Sequence, residues 1–110
     1  MTTDWAVKQC TPCEGGIAAM PLDAARDALR DLNPAWVLDE TGQSLRREYR
    51  FPNFLRVMSF VNAIAHIANV EDHHPDLAVG YNYCHVTYTT HAIGGLSEND
   101  FICAAKIDRL

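Results

Sequence analysis

From Phe54 onward, Phe54, Val57, Met58, Val61, Ile64, Ala65 and Ala68 return at three- and four-residue steps. Seven apolar positions on one stripe over about four turns leave an amphipathic helix as the economical solution, ending near Val70. Pro52-Asn53 stops whatever precedes it, and Asn53 is a natural N-cap. A second apolar set, Leu55, Phe60 and Ile67, lies off the stripe. The helix therefore carries more apolar surface than one sheet face needs. Contact with a second copy of the chain, or burial under the N-terminal segment, would account for the excess.

The other elements arrange themselves around this helix. Leu22, Ala25, Leu29 and Leu32 are spaced for a short amphipathic helix, Leu22 to Leu32, with Pro21 at its start and Asn33-Pro34 at its end. Trp36-Val37-Leu38 is β-prone, and Asp39-Glu40-Thr41-Gly42 reads as a turn. In the run Ser44 to Phe51, Leu45, Tyr49 and Phe51 alternate with Arg46, Glu48 and Arg50, while Arg47 falls on the apolar side as an exception. That pattern predicts a hairpin with one wet face. A second hairpin follows from Leu77–Tyr81 and Cys84–Thr90. Period two puts Val86, Tyr88 and Thr90 on one face and His85, Thr87, Thr89 and His91 on the other. Ser97-Glu98-Asn99-Asp100 has the form of a capping box opening a last helix that runs to near Leu110.

The order α-β-β-α-β-β-α, with hairpin connections, predicts an α+β fold: a two-layer domain whose four-stranded antiparallel sheet carries three helices packed on one face. With 110 residues, 48% of them hydrophobic and 21% charged, residues 1–110 are expected to form one domain, with 1–20 as an N-terminal arm closed by Gly15-Gly16. A net charge of −5 and nine basic residues without a basic run argue against direct nucleic-acid binding. The start Met1-Thr2-Thr3-Asp4-Trp5 has no signal-peptide pattern, and no apolar run is long enough for a membrane span. A cytoplasmic address is the expectation. Cys84 and Cys103 sit among apolar residues as small hydrophobes. Cys10 and Cys13 form a lone C-x-x-C, a weak zinc or redox signal in what reads as a flexible or docked arm.

The chemistry gathers in the window Glu71 to Asp100. Three of five histidines, His73, His74 and His91, fall there. Clustered imidazoles cost desolvation and mutual repulsion, and each can give or take a proton near neutrality. Neighbours His73 and His74 must point apart, and His91 returns on a separate arm at a strand end. Such a set suits a reaction that donates one proton and withdraws another. A zinc site is the competing reading, but H-H-x(16)-H lacks the usual side-by-side ligand pairs. His66 and His85 are set aside as ordinary hydrogen-bonded residues, and Asp100 has a capping role besides any role in a site.

The series His73-His74-Pro75, Tyr81, His91 and Asp100, at fixed separations across 28 residues, with a last helix opened by Gly-Leu-Ser-Glu-Asn-Asp, resembles the signature of the pterin-4a-carbinolamine dehydratases. The resemblance extends over nearly the whole chain, including the N-terminal Cys-x-Pro-Cys-x-Gly-Gly segment. One departure is Asn69, where the family pattern carries a charged, often acidic, residue. The resemblance implies dehydration of 4a-hydroxytetrahydropterin to the quinonoid dihydropterin, recycling the cofactor of aromatic amino acid hydroxylases. It implies His73 and His91 as general acid and base, His74 as a pterin-orienting residue, and Pro75 and Thr90 as pocket wall, with Asp100 in support. Pterin is then the substrate, and no metal or other cofactor is needed. The implied assembly is a homodimer or homotetramer through the middle helix. A dimerisation cofactor of a transcription factor, or a pterin-binding protein of molybdopterin metabolism, are the alternatives that the same family leaves open.

Overall fold

The computed structural model describes residues 3–12 and 18–110, so Cys13 and Gly15-Gly16 lie outside the described residues. Along the chain come α1 (Leu22–Leu29), β1 (Val37–Leu38), β2 (Leu45–Arg50), α2 (Phe54–Glu71), β3 (Asp76–Gly80), β4 (Tyr83–Tyr88) and α3 (Glu98–Asp108). This is the expected order, and the strands form one antiparallel sheet in the order β1-β2-β4-β3. The central pair β2 and β4 run from Leu45 opposite Tyr88 to Arg50 opposite Tyr83. β3 is an edge strand bonded only to β4. None of the helices is long and apolar enough to cross a membrane, among the described residues.

Alternation along the central strands sets the core. Leu45, Cys84, Val86 and Tyr88 are fully buried, and they meet Val57 and Ile64 from α2 and Phe101, Cys103 and Ala104 from α3. The Arg47 exception has a local explanation. Its guanidinium lies 4.3 Å from the Tyr49 ring centre and donates to Asp108 at 2.8 Å. Asp108 also accepts from the Trp36 indole at 2.7 Å and from the Asn33 amide at 3.0 Å. A buried charge is tolerable when it is paired and stacked in this way.

The strand ends and the end of α3 shift by one or two residues from the sequence reading, and the ends of α1 and α2 differ for identifiable reasons. α1 stops at Leu29 rather than Leu32, because Arg30, Asp31 and Leu32 each donate to the carbonyl three residues back. A helix that tightens into such turns ahead of Asn33-Pro34 ends early. α2 begins as expected, with Asn53 accepting from the Arg56 amide, and runs one residue past Val70 to Glu71. Its C-cap, Asp72, is left-handed at φ 50°, a conformation that aspartate tolerates better than most residues.

The N-terminal segment is docked. Trp5, in a single 3-10 turn (Trp5–Val7), is 8% exposed and its ring lies 5.9 Å from that of Phe101. Lys106 Nζ donates to the Ala6 carbonyl at 2.8 Å, and Asp4 takes a bidentate bond from Arg109. One indole buried against α3 supplies most of the anchoring, since the Asp4–Arg109 pair is exposed and contributes little. Trp5→Ala is expected to lower the unfolding free energy by about 3 kcal/mol, read by urea denaturation. A loss below about 0.5 kcal/mol would mean that the segment is only loosely attached.

Candidate active site

The left-handed Asp72 turns the chain sharply after α2, with the His73 amide donating back to Ala68 at 3.2 Å. His73 is thereby swung inward. Its side chain is 11% exposed, and its ring stacks at 8° on that of Tyr88, with centres 5.9 Å apart. Burial first, and then the neighbouring Cys103 and Asp100, push the Tyr88 phenol well above its ordinary value, so it stays neutral.

The carboxylate of Asp100 joins three elements. Its Oδ1 lies 2.6 Å from His73 Nε2, and its Oδ2 accepts from Thr90 Oγ1 at 2.8 Å and from the Ser97 amide at 3.0 Å. The Ser97 hydroxyl donates in turn to Thr90 at 2.8 Å. With a carboxylate as acceptor, Nε2 of His73 carries its proton, and Nδ1 is the nitrogen left for chemistry. Asp100 is fully buried, and each of its two roles has its own oxygen: Oδ2 caps α3 and Oδ1 orients His73.

A cavity of about 580 Å³ is lined in part by His73, His74, Thr90 and His91. His74 and His91 are exposed, and His91 Nε2 lies 3.9 Å from Asp76 Oδ2. Alternation along β4 carries through its end: Thr90 turns in and His91 turns out, opening a 3-10 turn (His91–Ile93) closed by the left-handed Gly94. The three histidines line one cavity. Pro75 does not line it; it leads into β3 instead, because the chain after His74 turns away to join the sheet edge. Asn69 is exposed and also outside the lining. Glu71, the last residue of α2, accepts from the Cys10 amide at 2.8 Å.

Sequence reasoning missed the other wall. Cys10, Thr11 and Pro12 also line the cavity, held by paired bonds between Thr11 backbone and Asn99 side chain. The one signal was the short apolar run Trp5-Ala6-Val7, with an indole able to anchor the segment. Among the described residues no three His, Cys, Asp or Glu side chains come together as a metal-ligand set.

Comparison with known proteins gives a consistent likeness. Residues 18–110 match the family described as pterin 4 alpha carbinolamine dehydratase. A Legionella pneumophila (strain Lens) protein named for pterin-4-alpha-carbinolamine dehydratase is 54% identical over 110 residues, covering all of this chain and 97% of that one. A Nitrosospira multiformis protein named likewise is 54% identical over 107 residues, 97% of this chain and 92% of that one. Among solved structures, a transcriptional coactivator/pterin dehydratase from Brucella melitensis superposes with a TM-score of 0.77 at 28% identity, over 83% of this chain and 96% of that chain. A pterin dehydratase-like RuBisCO assembly factor of the alpha-carboxysome, at 20% identity and a TM-score of 0.59 over 68% of this chain and 87% of that chain, shares the fold.

Removing Asp100 should unpick both of its roles. Asp100→Ala is expected to cost about 2–4 kcal/mol in urea denaturation, from a lost cap and from the donors of Thr90 and His73 left unpaired. Ring ¹⁵N shifts of His73 should also lose their preference for the Nε2-protonated form. A cost near 1 kcal/mol with an unchanged tautomer would reduce Asp100 to an ordinary cap.

Proposed function

The chain belongs to the pterin 4 alpha carbinolamine dehydratase family, and from that premise we propose that it dehydrates a 4a-hydroxytetrahydropterin to the quinonoid dihydropterin. The observation that carries this reading is the buried Asp100 holding one nitrogen of His73 while His74 and His91 border the same cavity. A cavity of about 580 Å³ suits a bicyclic substrate with a short side chain. Loss of water from the carbinolamine needs two proton movements. The C4a–O bond breaks as a proton reaches the departing hydroxyl, and the N5 proton leaves to a base, forming the C=N bond.

In this reading His73 and His91 share those transfers, one as acid and one as base, and His74 orients the ring. Asp100 fixes the orientation of the His73 ring through the bond to Nε2, so that Nδ1 is the nitrogen presented for proton transfer. Thr90 acts by positioning Asp100, and backbone groups near the turn after α2 meet the amide edge of the pterin. Pterin is the substrate, no further cofactor takes part, and the reaction recycles the cofactor of an aromatic amino acid hydroxylase in the cytoplasm.

The assay is the decay of freshly generated 4a-hydroxytetrahydropterin, followed by absorbance at pH ~8. Wild type should accelerate it, and His73→Ala and His91→Ala should each remove about 10²-fold of the gain. A wild type that matches the protein-free blank would overturn the reading and favour a binding role of the coactivator or molybdopterin kind.

Self-association is the second part of the proposal. On α2, Leu55 is 76% exposed, with Phe54 and Val70 also open to solvent. A homodimer or homotetramer that covers this surface would remove the apolar excess. Leu55→Asp is expected to shift the sedimentation-equilibrium mass toward that of one chain; a wild-type mass of one chain at micromolar concentration would refute it.

A further inference from the structure

Two thiols face each other where the N-terminal segment crosses α3. Cys10 Sγ and Cys103 Sγ lie 3.6 Å apart, and the Cys10 thiol also lies 3.7 Å from the Asn99 carbonyl. The contact is pinned on both sides. Toward the N-terminus, Lys106 holds the Ala6 carbonyl and Trp5 packs on Phe101; toward the cavity, Asn99 holds Thr11 and Glu71 holds the Cys10 amide. The two sulfurs are therefore in fixed register across a chain separation of 93 residues. A disulfide needs them at about 2.05 Å, roughly 1.5 Å nearer than the 3.6 Å at which they stand.

We infer that Cys10 and Cys103 form a peroxide-oxidisable pair whose internal disulfide locks the Cys10–Pro12 wall of the cavity onto α3. The two members have different access. Cys10 is part-exposed and lines the cavity, so a small peroxide reaches it first, whereas Cys103 is fully buried. The hydrogen bond to Cys10, and then burial, hold the Cys103 thiol protonated, which keeps it from being the sulfur that peroxide oxidises first; its place in the second step follows from its contact with Cys10.

In the first step the Cys10 thiolate attacks one oxygen of hydrogen peroxide. The O–O bond breaks, hydroxide leaves and is protonated to water, and Cys10 becomes a sulfenic acid. In the second, the Cys103 sulfur attacks the Cys10 sulfur; the S–O bond breaks, and the Cys103 proton leaves with the hydroxyl as water. Together the two sulfurs give up two electrons, and the peroxide takes them. The proposal does not rest on the dehydratase reading, since the pair and its cross-link are read without substrate.

The test treats the full chain with a few equivalents of hydrogen peroxide, blocks remaining thiols with N-ethylmaleimide, and maps peptides by mass spectrometry without reduction. The expected product is a peptide joining Cys10 to Cys103, with the intact mass lower by two hydrogens. Closing a loop this long should raise the Tm by about 5 °C or more, and dithiothreitol should reverse it. Cys13→Ala should retain both effects, and Cys103→Ala should lose both, with Cys103→Val in reserve should the alanine variant fail to fold. A Cys10–Cys13 peptide, a sulfinic acid at Cys10, or unmodified wild-type thiols would each overturn the proposal, whatever the variants do.

Discussion

A single buried carboxylate holds the candidate site together. Asp100 has no solvent exposure, and removing a carboxylate from water costs several kcal/mol unless its lone pairs are met. Here three donors meet it, one from the turn after α2, one from beyond the end of β4 and one from the start of α3. The same three bonds fix where those elements stop relative to one another. Geometry that orients His73 is therefore also geometry that closes the fold, and a change at Asp100 cannot be confined to chemistry.

Much of this was readable in the sequence, and the reasons differ by element. The apolar period along α2 carried its length to within one residue, because a long stripe averages over local exceptions. Alternation in β4 separated Thr90 from His91, since a strand leaves no third choice of face. Ser97 and Asp100 looked like a capping box, and the site and the cap turned out not to compete because a carboxylate has two oxygens. The docked segment was less legible. Its attachment depends on one indole and on bonds between residues 28 to 105 positions apart, none of which leaves a local pattern. Pro75 was misplaced for a related reason: adjacency to two site histidines says little about where a chain goes once it turns into an edge strand.

α2 dominates the sequence, but α3 dominates the structure. From Asn99 to Ala105 every residue of α3 is buried, as is Ile107, so this helix has no wet face over most of its length and its apolar residues show little periodicity. Burial all round is the condition under which an amphipathic signal disappears. α2 keeps a clear stripe because one side of it stays open, with Leu55 and Val70 in solvent.

The two ends of α3 carry the two acids that tie the structure together, and their electrostatic settings differ. Asp100 lies in the first turn, where the helix dipole favours a negative charge and adds to its three hydrogen bonds. Asp108 lies in the last turn, where the dipole opposes it, and it is the one that recruits a guanidinium, an indole and a backbone amide. An acid with a favourable helix terminus can be satisfied by neutral donors and an imidazole. An acid against the dipole needs a permanent cation. The site therefore falls at the end of α3 where the fold does not require a fixed positive partner, and a histidine can take the place that an arginine must occupy at the other end.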